Sequence, residues 1–283
     1  MIRAGSITFS LHPLFVIMML LSVVTGHILE LLTLFSIVLI HELGHAAAAL
    51  LLGIQVRSIQ LLPFGGVAVI EEHGSMTAGK EIIIALAGPL QNVIMMAAAW
   101  LAGWAGWGNE AFMDYLIQCN LLIALFNLLP ILPLDGGKIV HALASLCWSY
   151  HATLLWTSRI SILFSAVVTG YALMPPLGGG AIRLNLFMIG VFLLYSNLVD
   201  YRNIPYRFVR FLLGRELKYR NLGPDAAGAV PIVSAASKPL EGILRLFRRD
   251  KYHLIYIVGL QGTVEGIIPE QRIIASFFAS RPR

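Results

Sequence analysis

The stretch "IVLIHELGHAAAALLLG", residues 37–53, constrains this chain more than any other. Ile37 to Ile40 and Ala46 to Leu52 suit a helix surrounded by hydrocarbon. Between them lie His41, Glu42 and His45. Ionisable groups at membrane depth need partners, and they mark functional sites. The setting is a membrane because 58% of the 283 residues are hydrophobic and only 12% are charged. A soluble domain carries about 25% charged residues.

Apolar runs separated by Gly, Pro or charge predict about six transmembrane helices. They fall near Leu14–Gly26, His27–Leu52, Ile83–Trp104, Ala111–Ile131, Thr153–Met174 and Ile182–Val199. The first reads as a retained helix, not a cleaved leader. Residues 54–70, β-rich around Pro63-Phe64-Gly65-Gly66, predict a β-hairpin. The fold class expected is an all-α polytopic membrane domain with that hairpin, followed by a small α/β domain. The boundaries are 1–200 for the membrane domain, 201–222 for a basic interfacial linker and 223–283 for the tail, which reads strand, helix, strand, turn, strand, helix.

With the N-terminus inside, the inner segments hold Arg3, Arg57, Lys80, Lys138 and the cluster Arg202, Arg207, Arg210, Arg215, Lys218 and Arg220. The outer connections hold only Arg183. The positive-inside rule therefore places both termini in the cytoplasm. Basic and bulky apolar residues alternate over 202–220, which fits contact with anionic lipid rather than direct nucleic-acid binding. Cys119 and Cys147 show no metal or disulfide spacing and read as core residues.

His41-Glu42-Leu43-Gly44-His45 is an HExxH pattern. On a helix, residues i and i+4 share a face, so both imidazoles reach one metal ion while Glu42 lies beside it as a general base. Zinc takes such nitrogens plus a third protein ligand and keeps a fourth position for water. Entering from outside near His27, the two histidines lie roughly 21 and 27 Å along their helix, near its inner end. The fourth helix also ends inside, in "NLLPILPLDGGK", which makes Asp135 the third ligand. Asp114 lies at the wrong end of that helix, and His141 is the alternative ligand, set deeper in the inner connection. Pro130 and Pro133 break the helix before Asp135, and Gly136 and Gly137 permit a sharp turn after it. Asn127 either donates to a developing oxyanion or substrate strand, or bonds between helices. His12, His27, His73, His151 and His253 read as interfacial or solvated. Arg159, inside the fifth helix, pairs with an acid such as Asp114 or snorkels.

HELGH in one apolar helix, with "NLLPILPLDGG" about eighty residues later and "ALAGPLQN" at 85–92, resembles the site-2 protease family of intramembrane zinc metalloproteases. The resemblance implies one zinc ion on His41, His45 and Asp135, Glu42 as catalytic base and Asn127 as a substrate or oxyanion contact. The tail resembles a single CBS motif. That implies pairing between chains and an adenine nucleotide, ATP, at 223–283. Six helices with one such tail are similar to a sporulation branch of the family. Its members remove the pro-sequence of a mother-cell sigma factor (pro-sigma-K type) in the membrane around the forespore, under inhibitory membrane proteins. The rival readings are a zinc transporter or sensor, whose polar residues would be spread along the membrane depth, and an inactive membrane scaffold.

Overall fold

The computed structural model describes residues 2–4, 7–11, 23, 25–62, 65–70, 76–174, 183–219, 228–259 and 262–279. Most of the expected first helix (14–22 and 24), the turn at Pro63-Phe64, His12 and His73 lie outside them.

Helix α1, Ile28–Leu51, buries Ile37, His41, His45 and Ala49, one stripe at four-residue spacing. Ile40, Leu43, Leu50 and Leu51 face outward. The polar residues therefore point into protein and the lipid-compatible ones away from it. Helix α2, Ala78–Trp104, starts at Thr77, whose hydroxyl accepts from the Lys80 N–H. It buries Ala85, Gly88, Asn92 and Ala99 along one side. The two helices approach closely at Gly44, where a Cβ would stand 2.7 Å from the Ala87 carbonyl oxygen. Small residues at such a crossing let membrane helices pack backbone to backbone.

Helix α3, Glu110–Asn127, is capped by the Asn109 side chain. A loop, 128–134, leads to helix α4, Asp135–Cys147. The segment after Asp135 is thus a helix, where a sharp turn was expected. Its glycines serve close packing instead. A Cβ at Gly136 would lie 2.1 Å from the Leu128 carbonyl oxygen, and one at Gly137 2.5 Å from the Ile131 carbonyl carbon. Helices α5, Tyr150–Leu173, and α6, Leu184–Arg202, pack along each other.

Among the described residues four helices, α1, α2, α5 and α6, are long and apolar enough to cross a membrane, and most of the first expected span lies outside those residues. Helix α3 has 18 residues, and Glu110, Asp114, Gln118, Asn120 and Asn127 dilute its apolar character.

The hairpin is present as β3, Val56–Leu62, and β4, Gly65–Ile70, paired antiparallel from Val56↔Ile70 to Leu62↔Gly65. It belongs to a larger sheet. Strands β1, Ile2–Ala4, and β2, Ile7–Leu11, extend it in the order β1-β2-β3-β4, with β2 parallel to β3.

Helix α7, Ile204–Tyr219, leads to the C-terminal unit of β5 (Val230–Ala235), α8 (Leu240–Leu244), β6 (His253–Val258), β7 (Val264–Pro269) and α9 (Glu270–Ala279). Strand β5 runs parallel to β6, and β6 antiparallel to β7. The core of this unit, with Ile243, Leu244, Phe247, Ile255 and Ile274, continues into Phe208, Phe211 and Leu212 of α7 and Leu154 of α5.

Arg215, in the basic segment, is buried in this unit. Its guanidinium donates to both carboxylate oxygens of Glu270 and to the Arg248 and Lys251 carbonyls. His253 is fully buried, not solvated as expected. Its Nδ1–H donates to Glu270, and its Nε2 accepts from the Arg248 N–H at 3.2 Å. Burial pushes this imidazole below its ordinary value, outweighing the Glu270 carboxylate that favours the charged form. Removing one partner of a buried ion pair costs about 3–5 kcal/mol. Arg215→Ala is therefore expected to melt the C-terminal unit early. Limited proteolysis of membrane-embedded protein reads this as faster cleavage within 228–279.

The same loop docks onto the start of α2. Arg249 pairs with Glu81 and donates to the Met76 carbonyl, and the Asp250 carboxylate accepts from the Ala78 N–H at 2.8 Å. The remaining expectations divide. Cys119 is buried, whereas Cys147 is exposed. His27 is exposed and paired with Glu30. Arg159 sits with its guanidinium 5.5 Å from the Trp156 ring centroid.

Candidate metal centre

Helix α1 brings His41 and His45 to one face, one turn apart. Their rings meet edge to face, centroids 4.8 Å apart. Each Nδ1 is engaged by an oxygen. The His45 Nδ1–H donates to the Ile84 carbonyl at 2.7 Å, and the His41 Nδ1–H donates to Asn92 Oδ1 at 2.6 Å. Asn92 is turned this way because its own N–H donates to Asn120 Oδ1 at 3.0 Å. With both Nδ1 atoms as donors, both Nε2 atoms present lone pairs.

Those lone pairs point at Asp135. The Nε2 atoms lie 3.2 Å from each other, and 3.1 Å (His41) and 3.0 Å (His45) from Asp135 Oδ2. The other oxygen, Oδ1, accepts from Lys138 Nζ at 3.0 Å. Asp135 opens helix α4, where the peptide dipoles favour a carboxylate. Three lone-pair atoms facing one another at this spacing repel unless a cation lies among them. Donors held about 2.0–2.1 Å from a tetrahedral zinc lie about 3.4 Å apart, close to the triangle found. The donor set, two imidazoles and one carboxylate, fits zinc with a fourth position left open.

Gly88 of α2 forms the wall beside the Nε2 atoms of the two imidazoles. A Cβ there would stand 2.3 Å from His45 Nε2 and 2.6 Å from His41 Nε2. Glu42 is buried, and a carboxylate oxygen lies within 4.8 Å of the two ring nitrogens. It is close enough to share a water with the open position. A cavity of about 500 Å³ lies between α1, α2 and α3, with Ile37, Met95, Leu116 and Asn120 among its walls.

Thus the structure gathers His41, Glu42, His45 and Asp135. It does not join Asn127 to them. That amide, at the end of α3, donates to the Ile123 carbonyl of its own helix at 3.0 Å. His141 is buried in α4, with its Nδ1 3.1 Å from Thr157 Oγ1. Asn92 and Asn120, which orient His41, were not singled out from the sequence. Their signal was present as two amides in otherwise apolar helical runs.

The model of peptidase family M50 matches residues 29–108 and 93–165, which contain this centre. Stage IV sporulation protein FB of Bacillus subtilis is 32% identical over 271 residues, 95% of this chain and 91% of that protein. The chain belongs to peptidase family M50, the site-2 proteases. As a member it is an integral membrane protein and a zinc metalloprotease. A Synechocystis protein named as a zinc metalloprotease is 35% identical over 174 residues, 59% of this chain and 44% of that one. The solved site-2 protease from Methanocaldococcus jannaschii shares the fold. Its TM-score is 0.56 at 24% identity, covering 71% of this chain and 94% of that one.

Proposed function

We propose that His41, His45 and Asp135 hold the catalytic zinc of this site-2 protease and that Glu42 is its general base. The observation that carries this reading is the triangle of His41 Nε2, His45 Nε2 and Asp135 Oδ2, with both Nδ1 protons committed elsewhere. When bound, zinc supplies Lewis acidity to the scissile carbonyl and to water. The Glu42 carboxylate takes the proton of the attacking water and delivers it to the leaving amine. Ile84 and Asn92 fix the ring orientations, as outer partners of metal-ligating histidines do. The scissile segment must be extended, because a helix keeps its backbone bonds internal. Strand β4 ends the sheet order and offers an edge for an added strand. Asn127, turned back on its own helix, serves as a substrate contact only after its amide is released.

The substrate proposed is a membrane-associated precursor cut near the cytoplasmic face, a sigma-factor precursor of the pro-sigma-K type whose pro-sequence is removed. Likeness to a sporulation protein along 95% of the chain supports it. With it go cytoplasmic termini, a place in the mother-cell membrane around the forespore, inhibitory membrane proteins and anionic lipid against the exposed basic residues. The strand, helix, strand, strand, helix order of the tail supports a CBS-like reading, with ATP and chain pairing as its ligand and assembly. Co-expression with the sigma-factor precursor tests the substrate. A shortened product with a new N-terminus is expected. An unprocessed precursor beside a cleaved unrelated membrane protein would overturn the assignment.

A further inference from the structure

Loop 128–134 carries the chain from α3 to Asp135 through the interior. Ile131 and Leu132 are buried. Irregular backbone at membrane depth survives only where protein or a watery cavity satisfies its polar groups. Here the two backbone polar groups of Leu132, three residues before Asp135, are each taken by a side chain. The Leu132 N–H donates to Ser161 Oγ of α5 at 3.0 Å. The Leu132 carbonyl accepts from Asn197 Nδ2 of α6 at 2.6 Å. The same amide nitrogen also reaches Ser165 Oγ at 3.1 Å and the Leu193 carbonyl at 2.8 Å. Ser161, Ser165 and Asn197 are all buried.

The orientation of Asn197 is informative. Among the described residues, its Oδ1 is buried without a hydrogen-bond partner. An unpaired buried acceptor is unfavourable, and the arrangement is kept with the N–H side aimed at Leu132. The reverse orientation would set two oxygens against each other.

We propose that Ser161 and Asn197 are positioning residues for Asp135. Acting through the two polar groups of Leu132, they set where helix α4 begins and so hold Asp135 Oδ2 against both imidazoles. The centre is then assembled from two sides. Helices α1 and α2 fix the imidazoles, and α5 and α6 fix the carboxylate through the loop. A relative shift of the two pairs opens the triangle without touching any of its members. The inference rests on Asp135 being a ligand.

The test uses full-length protein in lipid nanodiscs, with Asp135→Ala, Asn197→Leu, Ser161→Ala and Ser161→Thr. Zinc affinity is read by competition with a chelator, and ligand geometry by the absorption bands of the cobalt-substituted protein. Asn197→Leu and Ser161→Ala are expected to weaken zinc binding about tenfold, the low end for outer-shell changes, and to shift the cobalt bands. Ser161→Thr, which keeps the hydroxyl, is expected to restore both. Wild-type affinity and bands in Asn197→Leu and Ser161→Ala, beside a weakened Asp135→Ala, would overturn the positioning role. Undiminished binding in Asp135→Ala would instead remove Asp135 from the ligand set. If Asn197→Leu does not insert stably, the Ser161→Ala and Ser161→Thr pair decides by the same readouts.

Discussion

Gly88→Ala is expected to strip the protein of zinc and of activity together. The new methyl would stand 2.3 Å from His45 Nε2 and 2.6 Å from His41 Nε2, inside the space of the rings. The helix cannot yield, because Gly44 of α1 lies tight against the Ala87 carbonyl one residue earlier. The imidazoles must therefore swing away, losing the Ile84 and Asn92 oxygens that set their tautomers. Losing an outer partner of a metal-bound histidine weakens a site by about 10–100-fold, and both are lost here. Metal analysis of the purified variant should find well under one zinc per chain, with no cleavage product. Full zinc and normal cleavage would show that the glycine does not form the wall of the centre.

Glu42→Gln separates chemistry from metal binding. The amide keeps the size of the carboxylate but accepts no proton at neutral pH. General-base catalysis contributes about 10²–10⁴-fold, so kcat should fall by at least that order while zinc content stays at one per chain. Asp135→Ala is expected to lose zinc as well. The pair of measurements, turnover and metal content, assigns the two carboxylates to different tasks. Undiminished turnover in Glu42→Gln would sink the general-base role.

Much of this centre was legible in the sequence because its signals are local or tied to depth. Four-residue spacing puts His41 and His45 on one stripe without any tertiary information. Asp135 was reachable because charge asymmetry oriented the helices and a proline-rich break marked the matching depth. The residues that hold the centre in shape were not legible. Asn92, Ser161 and Asn197 are uncharged polar residues within apolar helices, and periodicity reveals a face but no partner. Hydrogen bonds such as Asn197 to Leu132 span 65 residues. His253 was misjudged for the same reason, since the carboxylate that accepts from its ring, Glu270, lies 17 residues away. Gly136-Gly137 looked like a turn because glycine reports missing bulk as readily as an unusual backbone angle. The alternation in Ile7-Thr8-Phe9-Ser10-Leu11 is a strand signal that the apolar run beginning at Leu14 overshadowed. The fourth expected span was drawn as one apolar run, whereas α3 mixes acids and amides into it.

The docking of Arg249 and Asp250 on the start of α2 changes how a truncation should be interpreted. Glu81 and Ile84 are one helical turn apart, so the tail and His45 lean on adjacent rungs of a single rod. Deleting residues 223–283 would not simply detach a sensor or a substrate-reading module. It would leave the Glu81 carboxylate without Arg249 and the Ala78 N–H without its acceptor, directly below the backbone that steadies an imidazole. A shortened enzyme that fails to cleave could thus have lost its footing rather than its ligand. Point changes on the far side of the tail, distant from Arg249, are the cleaner way to ask what the tail recognises.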